Sequence, residues 1–307
     1  MVAKRSTRPP QRDGVAASCV VLPSKVGQWP TVIDFLCERF DGVSRTTWFD
    51  RMARSEVIDE QGAAMTPASA CKPQQKIYYY RSVEAEPTIP FEETIVFQDE
   101  YLLVADKPHF LPVAPVGRYV QETLLTRLKR RTGIETLSPI HRIDRDTAGL
   151  VIFAIQPPTR DAYQRLFREH RIEKFYEAIA PWRVDVTFPA LVKNRLVESP
   201  HFMQMQVTEG EANAETSISL LEKSESLGRY KLRPVTGQKH QLRAHMAGLG
   251  VPILNDRIYP TLLPDESIAT YDKPLQLLAK RVEFVDPMNG QVRVFESTRQ
   301  LRLAAWT

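Results

Sequence analysis

The first third of the chain contains two apolar patterns of helical period. In TVIDFLCERF (31–40) the apolar residues recur three and four positions apart, which predicts an amphipathic helix. SRTTWFDRMARSEV (44–57) predicts a second helix, with Ser44 as its N-cap and Phe49 among the residues that face inward. KIYYYR (76–81) then predicts a short strand. These elements indicate a small N-terminal module.

Beyond residue 93 the pattern changes to continuous and alternating apolar runs with a few helical stretches between them. Strands are predicted in TIVFQDEYLLVADKP, GLVIFAI, KFYEAIA, LQLLAKRVEFV and QVRVFES, and helices in QETLLTRLKRRTG, TRDAYQRLFREHRI and HQLRAHMAGLG. The helices are too few for a regular series of parallel β-α-β units. The pattern therefore favours an α+β fold with a mixed, largely antiparallel sheet.

The chain of 307 residues is long enough for one large domain and a smaller module. We predict a flexible basic tail over 1–24, the small module over 25–86 and the large domain over 87–307. The acidic segment SVEAEPTIPFEE (82–93) contains two prolines and is the predicted linker.

Composition narrows the class of protein. With 43% apolar and 25% charged residues the chain can bury a core, and a net charge of +4 excludes a histone-like polycation. The cysteines Cys19, Cys37 and Cys71 form no CxxC motif, which argues against a disulfide framework or zinc site. No apolar run reaches membrane-spanning length, and the N-terminus lacks a signal-peptide layout. We therefore expect a cytoplasmic protein.

The segment HRIDRDTAGL (141–150) places two carboxylates among arginines, directly before an apolar strand. The flanking cations favour the ionised form of Asp144, which suits a nucleophile or a base and not a general acid. Small residues after it allow a ligand to approach, and the strand gives the loop a rigid base. A structural cluster of salt bridges explains the decapeptide equally well at this point.

Two further segments carry polar groups that suit a site. Tyr176 lies on the alternating strand KFYEAIA, where its ring can stack on a nucleobase; packing in the core is the alternative. VTGQKHQLRAH combines a turn, several cations and a helix N-terminus that favours an anion, with Arg243 three residues after His240. A metal site from His240 and His245 is not expected, because they are five residues apart and lack a third ligand.

Basic residues also cluster in 127–131 and in 160–174, and in the second segment aromatic residues lie between them. Each segment alone suits a solvated helix face. Together they predict a surface that contacts phosphates.

The motifs HRIDRDTAGL, EKFYEA and PVTGQKHQLRAHMAGLGVPILND follow one another as in the RluA-type pseudouridine synthases, which the chain resembles from residue 90 to residue 300. VFQDEYLLVADKPHFLPVAP resembles the opening strand pair of that family, and LQLLAKRVEFVDPMNG its closing one. The resemblance implies the pseudouridine synthase fold, a mixed, mostly antiparallel sheet with a central cleft. It also implies an enzyme that converts uridine to pseudouridine in ribosomal or transfer RNA without metal or cofactor.

The resemblance assigns roles to individual residues. Asp144 corresponds to the catalytic aspartate, which would attack C1′, attack the base or remove a proton from C2′. Tyr176 corresponds to the active-site tyrosine, and Arg243 to the arginine that pairs with the aspartate. Arg142 corresponds to the arginine that fills the space left by the extruded base. The predicted substrate-binding residues are Arg142, Thr147, Gly149, Lys174, Lys239, His240 and Gln241.

The sequence departs from the family pattern at three positions. Ile143 replaces the usual leucine, Ala148 replaces the usual serine, and Gln238 stands where arginine is common. Only the last change removes a charge that could contact a substrate phosphate.

The N-terminal module resembles a degenerate S4-like RNA-binding domain of two helices, a turn and a strand. Its basic helix face is thin, because the acidic residues Asp50 and Glu56 lie among its arginines. We expect RNA as the partner, no obligate protein partner, no membrane association and a monomeric protein.

Two alternative functions were weighed against the isomerase. An RNA-binding protein without catalysis would not need the trio Asp144, Tyr176 and Arg243. An aspartate-dependent nucleosidase or glycosidase would need a second carboxyl group as proton donor. Asp146 is a poor candidate for that role, because the adjacent arginine favours its ionised form.

Overall fold

The computed structural model describes residues 9–81, 86–200, 203–264 and 271–301. Contacts along the chain define two compact units. The first comprises Met1–Pro87, Pro115–Gln121 and Thr126–Glu135, and the second comprises Thr88–Ala114, Glu122–Leu125 and Thr136–Thr307. The sequence analysis assigns all of 115–135 to the large domain, whereas the contacts place two segments of it in the first unit.

The first unit contains a three-stranded antiparallel sheet and the two predicted helices. Its elements are β1 (Ser18–Val21), α1 (Val32–Arg39), α2 (Arg45–Ala53), β2 (Val57–Asp59) and β3 (Lys76–Tyr79), with strand order β1-β3-β2. Ser44 caps α2 as predicted, because its hydroxyl accepts the Thr47 N–H at 3.1 Å. The predicted inward position of Phe49 is wrong: its side chain is 42% exposed, one helical step away from the buried Trp48.

The predicted flexible tail needs correction at its C-terminal end. Residues 18–21 form β1, whose four residues pair with Lys76–Tyr79 of β3. Val15 is buried as well, and its backbone pairs with that of Arg12. The apolar residues of this segment join the sheet of the first unit, which basic composition alone does not reveal. Residues 1–8 of the predicted tail and 82–85 of the predicted linker lie outside the described residues.

The second unit is built on one large sheet. The remaining elements, in chain order, are β4 (Thr94–Gln98), β5 (Leu102–Lys107), α3 (Leu124–Thr132), β6 (Ser138–Pro139), β7 (Ala148–Ala154), α4 (Arg160–Arg168), β8 (Ile172–Pro181), β9 (Ala190–Glu198), β10 (Met205–Thr208), β11 (Ala214–Lys223), β12 (Leu227–Pro234), α5 (Gln241–Gly248), β13 (Leu277–Val285) and β14 (Val292–Glu296). Most of α3 belongs to the first unit. The strand order is β10-β9-β11-β12-β8-β13-β7-β5-β4, with β14 beside β13 and β6 beside β7. Among the described strands only β13 and β7 pair in parallel. The mixed, mostly antiparallel α+β prediction is confirmed.

The register of the central strands places the predicted motifs side by side. Gly149 of β7 lies opposite Ala279 of β13, Ala279 lies opposite Tyr176 of β8, and Tyr176 lies opposite Leu232 of β12. Strand β7 is buried along its whole length, as its unbroken apolar sequence predicts. The loop that carries Asp144 leads into β7. Only β13 separates β7 from β8, the strand that carries Tyr176.

The helices α4 and α5 pack into separate parts of the core of this unit. Tyr163 and Leu166 of α4 join a cluster with Ile152 of β7. Leu242 and Met246 of α5 join another cluster, in which Tyr176 is a partly buried member. The helices among the described residues are all too short or too polar to span a bilayer.

The sequence analysis missed strands β9 to β12. In β9, intermediate and exposed positions alternate, and only Leu196 is fully buried. Its order depends on pairing with β10 and β11. A strand of this kind lacks the apolar signal on which the prediction rests.

Candidate active site

A buried lysine and a histidine hold the loop that carries Asp144 by hydrogen bonds to its backbone. Lys107, at the end of β5, is fully buried, and its Nζ donates to the carbonyl oxygens of Arg145 and Pro108 at 2.9 Å each. His109 Nδ1 donates to the Asp146 carbonyl at 2.7 Å. Burial lowers the pKa of Lys107 to about 7, against the nearby negative charges of Asp146 and Asp144. These contacts fix the backbone directly after Asp144.

Arg243 joins Asp144 to a second, buried aspartate. The Arg243 Nη1 donates to Asp144 Oδ2 at 3.2 Å, while Nε and Nη2 donate to Asp256 at 2.8 and 2.6 Å. The side chains of Arg243 and Asp256 are 2% and 0% exposed, whereas that of Asp144 is 30% exposed. Asp256 therefore holds the guanidinium in a two-pronged pair, and Asp144 is the member that reaches solvent.

The guanidinium of Arg243 stays protonated in this arrangement. Burial opposes it, but the hydrogen bonds and charge of Asp256, followed by the charge of Asp144, outweigh burial and raise the pKa of Arg243 above its usual value. A permanent cation thus lies beside Asp144.

Tyr176 lies partly buried on β8, as its alternating strand predicts. Burial raises the pKa of its hydroxyl, and the negative charge of Asp144 raises it further. The hydroxyl is therefore protonated at neutral pH and can donate a hydrogen bond. Tyr176 on β8 and the loop before β7 that carries Asp144 are separated in the sheet only by β13.

The turn before α5 brings His240 to the same place. Its Nε2 lies 4.0 Å from Asp144 Oδ1, and its backbone adopts a left-handed conformation with φ of 53°. The turn is pinned by the buried side chain of Gln241. That amide accepts from the Thr236 hydroxyl and the Gln238 N–H and donates to the Glu215 carbonyl and the Thr216 hydroxyl.

Several predicted substrate-binding residues make contacts within the fold. Gln241 has its amide fully occupied within the fold, as just described. Thr147 is 2% exposed, and Gly149 packs against the Ala279 backbone, so both support the loop. Lys174 Nζ donates to the Thr236 carbonyl at 2.9 Å, and burial lowers its pKa to about 8.

Two predicted substrate-binding cations remain at the surface. Arg142 is exposed and has no ion-pair partner among the described residues. Lys239 Nζ lies 3.3 Å from Glu198 Oε1, an exposed pair that a phosphate can displace.

Several residues that support the predicted reactive ones were not predicted from the sequence. Asp256 is the last residue of the quoted motif PVTGQKHQLRAHMAGLGVPILND, and only its membership of that motif could have flagged it. Lys107 and His109 lie in the DKPHF segment at the end of β5, which gives no local signal of contact with the Asp144 loop. Within the described residues, no cluster of three or more histidine, cysteine or carboxylate side chains has metal-binding geometry.

Comparisons with known proteins agree on one family. The model of the RNA pseudouridylate synthase family matches residues 101–248. An uncharacterized RNA pseudouridine synthase of Synechocystis is 30% identical over 230 residues, which are 74% of this chain and 79% of that protein. The dual-specificity RNA pseudouridine synthase RluA of Haemophilus influenzae is 30% identical over 225 residues, 70% of this chain and 97% of that protein.

A solved structure agrees with this result. The human RNA pseudouridylate synthase domain containing 4 protein superposes with a TM-score of 0.52 at 26% identity, over 66% of this chain and 87% of that one. The Asp144 loop, Tyr176 and the α5 turn all lie inside the matched region 101–248. The chain therefore belongs to the RluA-type RNA pseudouridine synthases, the enzymes that isomerise uridine to pseudouridine in RNA.

Proposed function

We propose that this chain isomerises uridines of structured RNA with Asp144 as the reactive carboxylate, Arg243 as its partner and Tyr176 beside the released base. The observation that carries the proposal is the Asp144–Arg243–Asp256 arrangement, in which two buried residues hold a partly exposed carboxylate. A buried charge pair costs free energy unless it is well bonded, so a pair with one exposed member suits a site better than a core.

The chemistry explains why these groups belong together. The reaction breaks the C1′–N1 bond of uridine, turns the uracil and joins it to C1′ through C5, and the C5 proton is then lost. The guanidinium of Arg243 holds Asp144 oriented beside the ribose during these steps. A fixed guanidinium needs no reorganisation when charge develops on the carboxylate or on the sugar.

Tyr176 serves as a platform and as a hydrogen-bond donor. Its ring supports the loose uracil, an interaction worth about 1–3 kcal/mol per base. Because its hydroxyl is protonated, it donates to the base or to Asp144, and it passes a proton on only with an acceptor present. Tyr176 therefore does not act as a base that is already deprotonated before the substrate binds.

The target uridine must leave its stack before it reaches Asp144, at a cost of a few kcal/mol. Arg142 is exposed beside the loop and can occupy the space left by the base. Together with Lys239 it forms the cationic margin of the site.

We infer that the substrate is a transfer or ribosomal RNA. A yeast relative named tRNA pseudouridine(31) synthase is 29% identical over 226 residues, 66% of this chain and 55% of that protein. The first unit then serves as an S4-like RNA-binding module, and the enzyme acts in the cytoplasm as a monomer. Family membership favours the isomerase over the non-catalytic binder and the glycosidase considered from sequence.

Asp144→Asn tests the proposal, because it keeps the size of the side chain and removes its charge. We expect tritium release from RNA labelled at uridine C5 to fall at least a thousandfold, while RNA affinity changes only a few fold. Asp146→Asn is the matched control, since the same change two residues away removes a charge that pairs with Arg145 and leaves Asp144 and its contact with Arg243 in place. Substantial isomerisation by the Asp144 variant, with pseudouridine mapped in the RNA, would overturn the assignment.

A further inference from the structure

The two oxygens of Asp144 face different partners. Oδ2 accepts from Arg243, whereas Oδ1 faces the imidazole of His240, whose Nε2 lies 4.0 Å away. The other ring nitrogen of His240, Nδ1, lies 3.3 Å from the hydroxyl of Tyr259. The two rings are nearly perpendicular, with centroids 5.7 Å apart. A tyrosine thus contacts the side of the histidine that points away from Asp144.

The hydrogen bonds of Tyr259 determine where its proton lies. Its hydroxyl oxygen accepts the N–H of Met205 at 2.6 Å, so the hydroxyl proton must be directed elsewhere. The available acceptors are His240 Nδ1 at 3.3 Å and the Met205 carbonyl at 3.5 Å. The nearer acceptor is His240 Nδ1. A histidine that accepts at Nδ1 carries its own proton on Nε2.

The surrounding charges favour the same arrangement. The charged groups that face His240 are Asp144, Arg243, Lys239 and Asp256. Burial lowers the pKa of His240, so the ring is neutral and its tautomer matters. An Nε2–H attracts the negative Oδ1 of Asp144, whereas an Nε2 lone pair would repel it.

The ring has little freedom to turn away. Tyr259 is 6% exposed and packs with Leu196, Met205 and Ala244 in a small cluster. The backbone of His240 is held in the left-handed conformation described above, and its carbonyl accepts the first helical bond of α5, from Ala244 N–H at 2.9 Å. Both ends of the contact are therefore fixed by the fold.

We propose that Tyr259 fixes the tautomer of His240 so that an Nε2–H is directed at Oδ1 of Asp144, and that both residues position this carboxylate oxygen for reaction. The inference rests on the proposed role of Asp144. Oδ2 is bound by Arg243, so Oδ1 is the oxygen left to meet the ribose or the base. His240 and Tyr259 act through Asp144 and are positioning residues.

The tautomer can be measured directly. Two-bond nitrogen–proton spectra of protein labelled with ¹⁵N-histidine distinguish the two neutral forms, and the His240 signal is identified by its loss in His240→Gln. We expect the Nε2–H form in the wild type and a mixed or Nδ1–H form in Tyr259→Phe. An Nδ1–H form in the wild type would overturn the proposal, whatever the activity.

Kinetics test the consequence for Asp144. Tyr259→Phe should lower kcat at least roughly tenfold, as loss of a supporting hydrogen bond does at other sites, with KM within about threefold. Tyr230→Phe is the matched control, because it removes another buried hydroxyl, bonded to the Pro181 carbonyl at 2.9 Å. Equal kcat in the two variants would refute the positioning role.

A pair of substitutions at residue 240 separates the imidazole from the backbone. His240→Gln carries an N–H donor near the position of Nε2, so kcat should stay within about tenfold of the wild type. His240→Asn suits the left-handed backbone better but falls short of Asp144, so its kcat should fall further. The opposite order would show that the backbone matters and the donor does not. Failure of the Asp144 test, by contrast, would leave the tautomer result intact.

Discussion

At the scale of single residues, Gly149 shows how a motif can owe its composition to packing. Its φ is +109°, and a Cβ built on it would lie 2.7 Å from the Ala279 nitrogen and closer still to the Ala279 oxygen. The parallel pairing of β7 and β13 therefore requires a residue without a side chain here. The glycine supports the Asp144 loop and does not need to touch RNA.

Gly149→Ala should destabilise the protein by at least about 3 kcal/mol, because strand β13 would have to move. Gly290→Ala is the matched control: its φ is +74°, but nothing lies within 4 Å of the added carbon. We expect a cost of about 1–2 kcal/mol there from the backbone alone. Urea unfolding curves compare the two variants, and similar costs would contradict a role for close approach.

At the scale of elements, α4 presents the basic face predicted to contact phosphates, yet its charges are paired on its own surface. Asp161 binds Arg165 at 3.1 Å and Arg168 at 2.7 Å, and Glu169 lies 3.4 Å from Arg171. Exposed pairs of this kind contribute little to stability. The paired carboxylates do lower the positive electrostatic potential at the surface of α4.

Asp161→Asn should release Arg168, leave Arg165 with only its 3.9 Å contact to Glu169, and so raise RNA affinity. If α4 faces RNA, the slope of log K against log salt should steepen by up to about two, one for each new phosphate contact. Asp185→Asn changes the net charge equally but releases only Arg183, between β8 and β9. An identical change of the salt dependence in the two variants would show that α4 does not contact RNA.

At the scale of the whole molecule, three buried or partly buried histidines couple stability to pH. His141 Nε2 accepts the Ile152 N–H at 3.1 Å, and His245 lies between the Thr216 hydroxyl and the Asn194 side chain. Burial lowers the pKa of His141 to about 3 and those of His245 and His109 to about 4. All three are neutral in the folded protein at neutral pH.

Stability should therefore fall on mild acidification. Between a pKa of about 4 in the folded state and about 6.5 in the unfolded state, the unfolded chain binds more protons, so the free energy of unfolding rises with pH. Each histidine contributes a slope of up to about 1.4 kcal/mol per pH unit. Urea unfolding at pH 5 and pH 7 measures this slope, and His245→Asn should reduce it. A free energy of unfolding that stays constant from pH 7 to 5 would contradict the prediction.

The sequence by itself determined those features that depend on neighbours along the chain. The cap at Ser44, the helix α5 and the buried strand β7 follow from residue type and local period. The order of the motifs identified the family and made Asp144 the predicted reactive residue. These signals are local because helix and strand periods arise from contacts among residues a few positions apart.

Only the tertiary structure decided which groups meet. Asp144 and Arg243 are 99 residues apart in sequence, and the parallel pairing of β7 with β13 has no local signature. Asp256 and Tyr259 became visible as supporting residues only through their contacts with Arg243 and His240. Such contacts depend on the path of the whole chain through the sheet, because the strength of a hydrogen bond or ion pair depends on distance in space and not on separation in sequence.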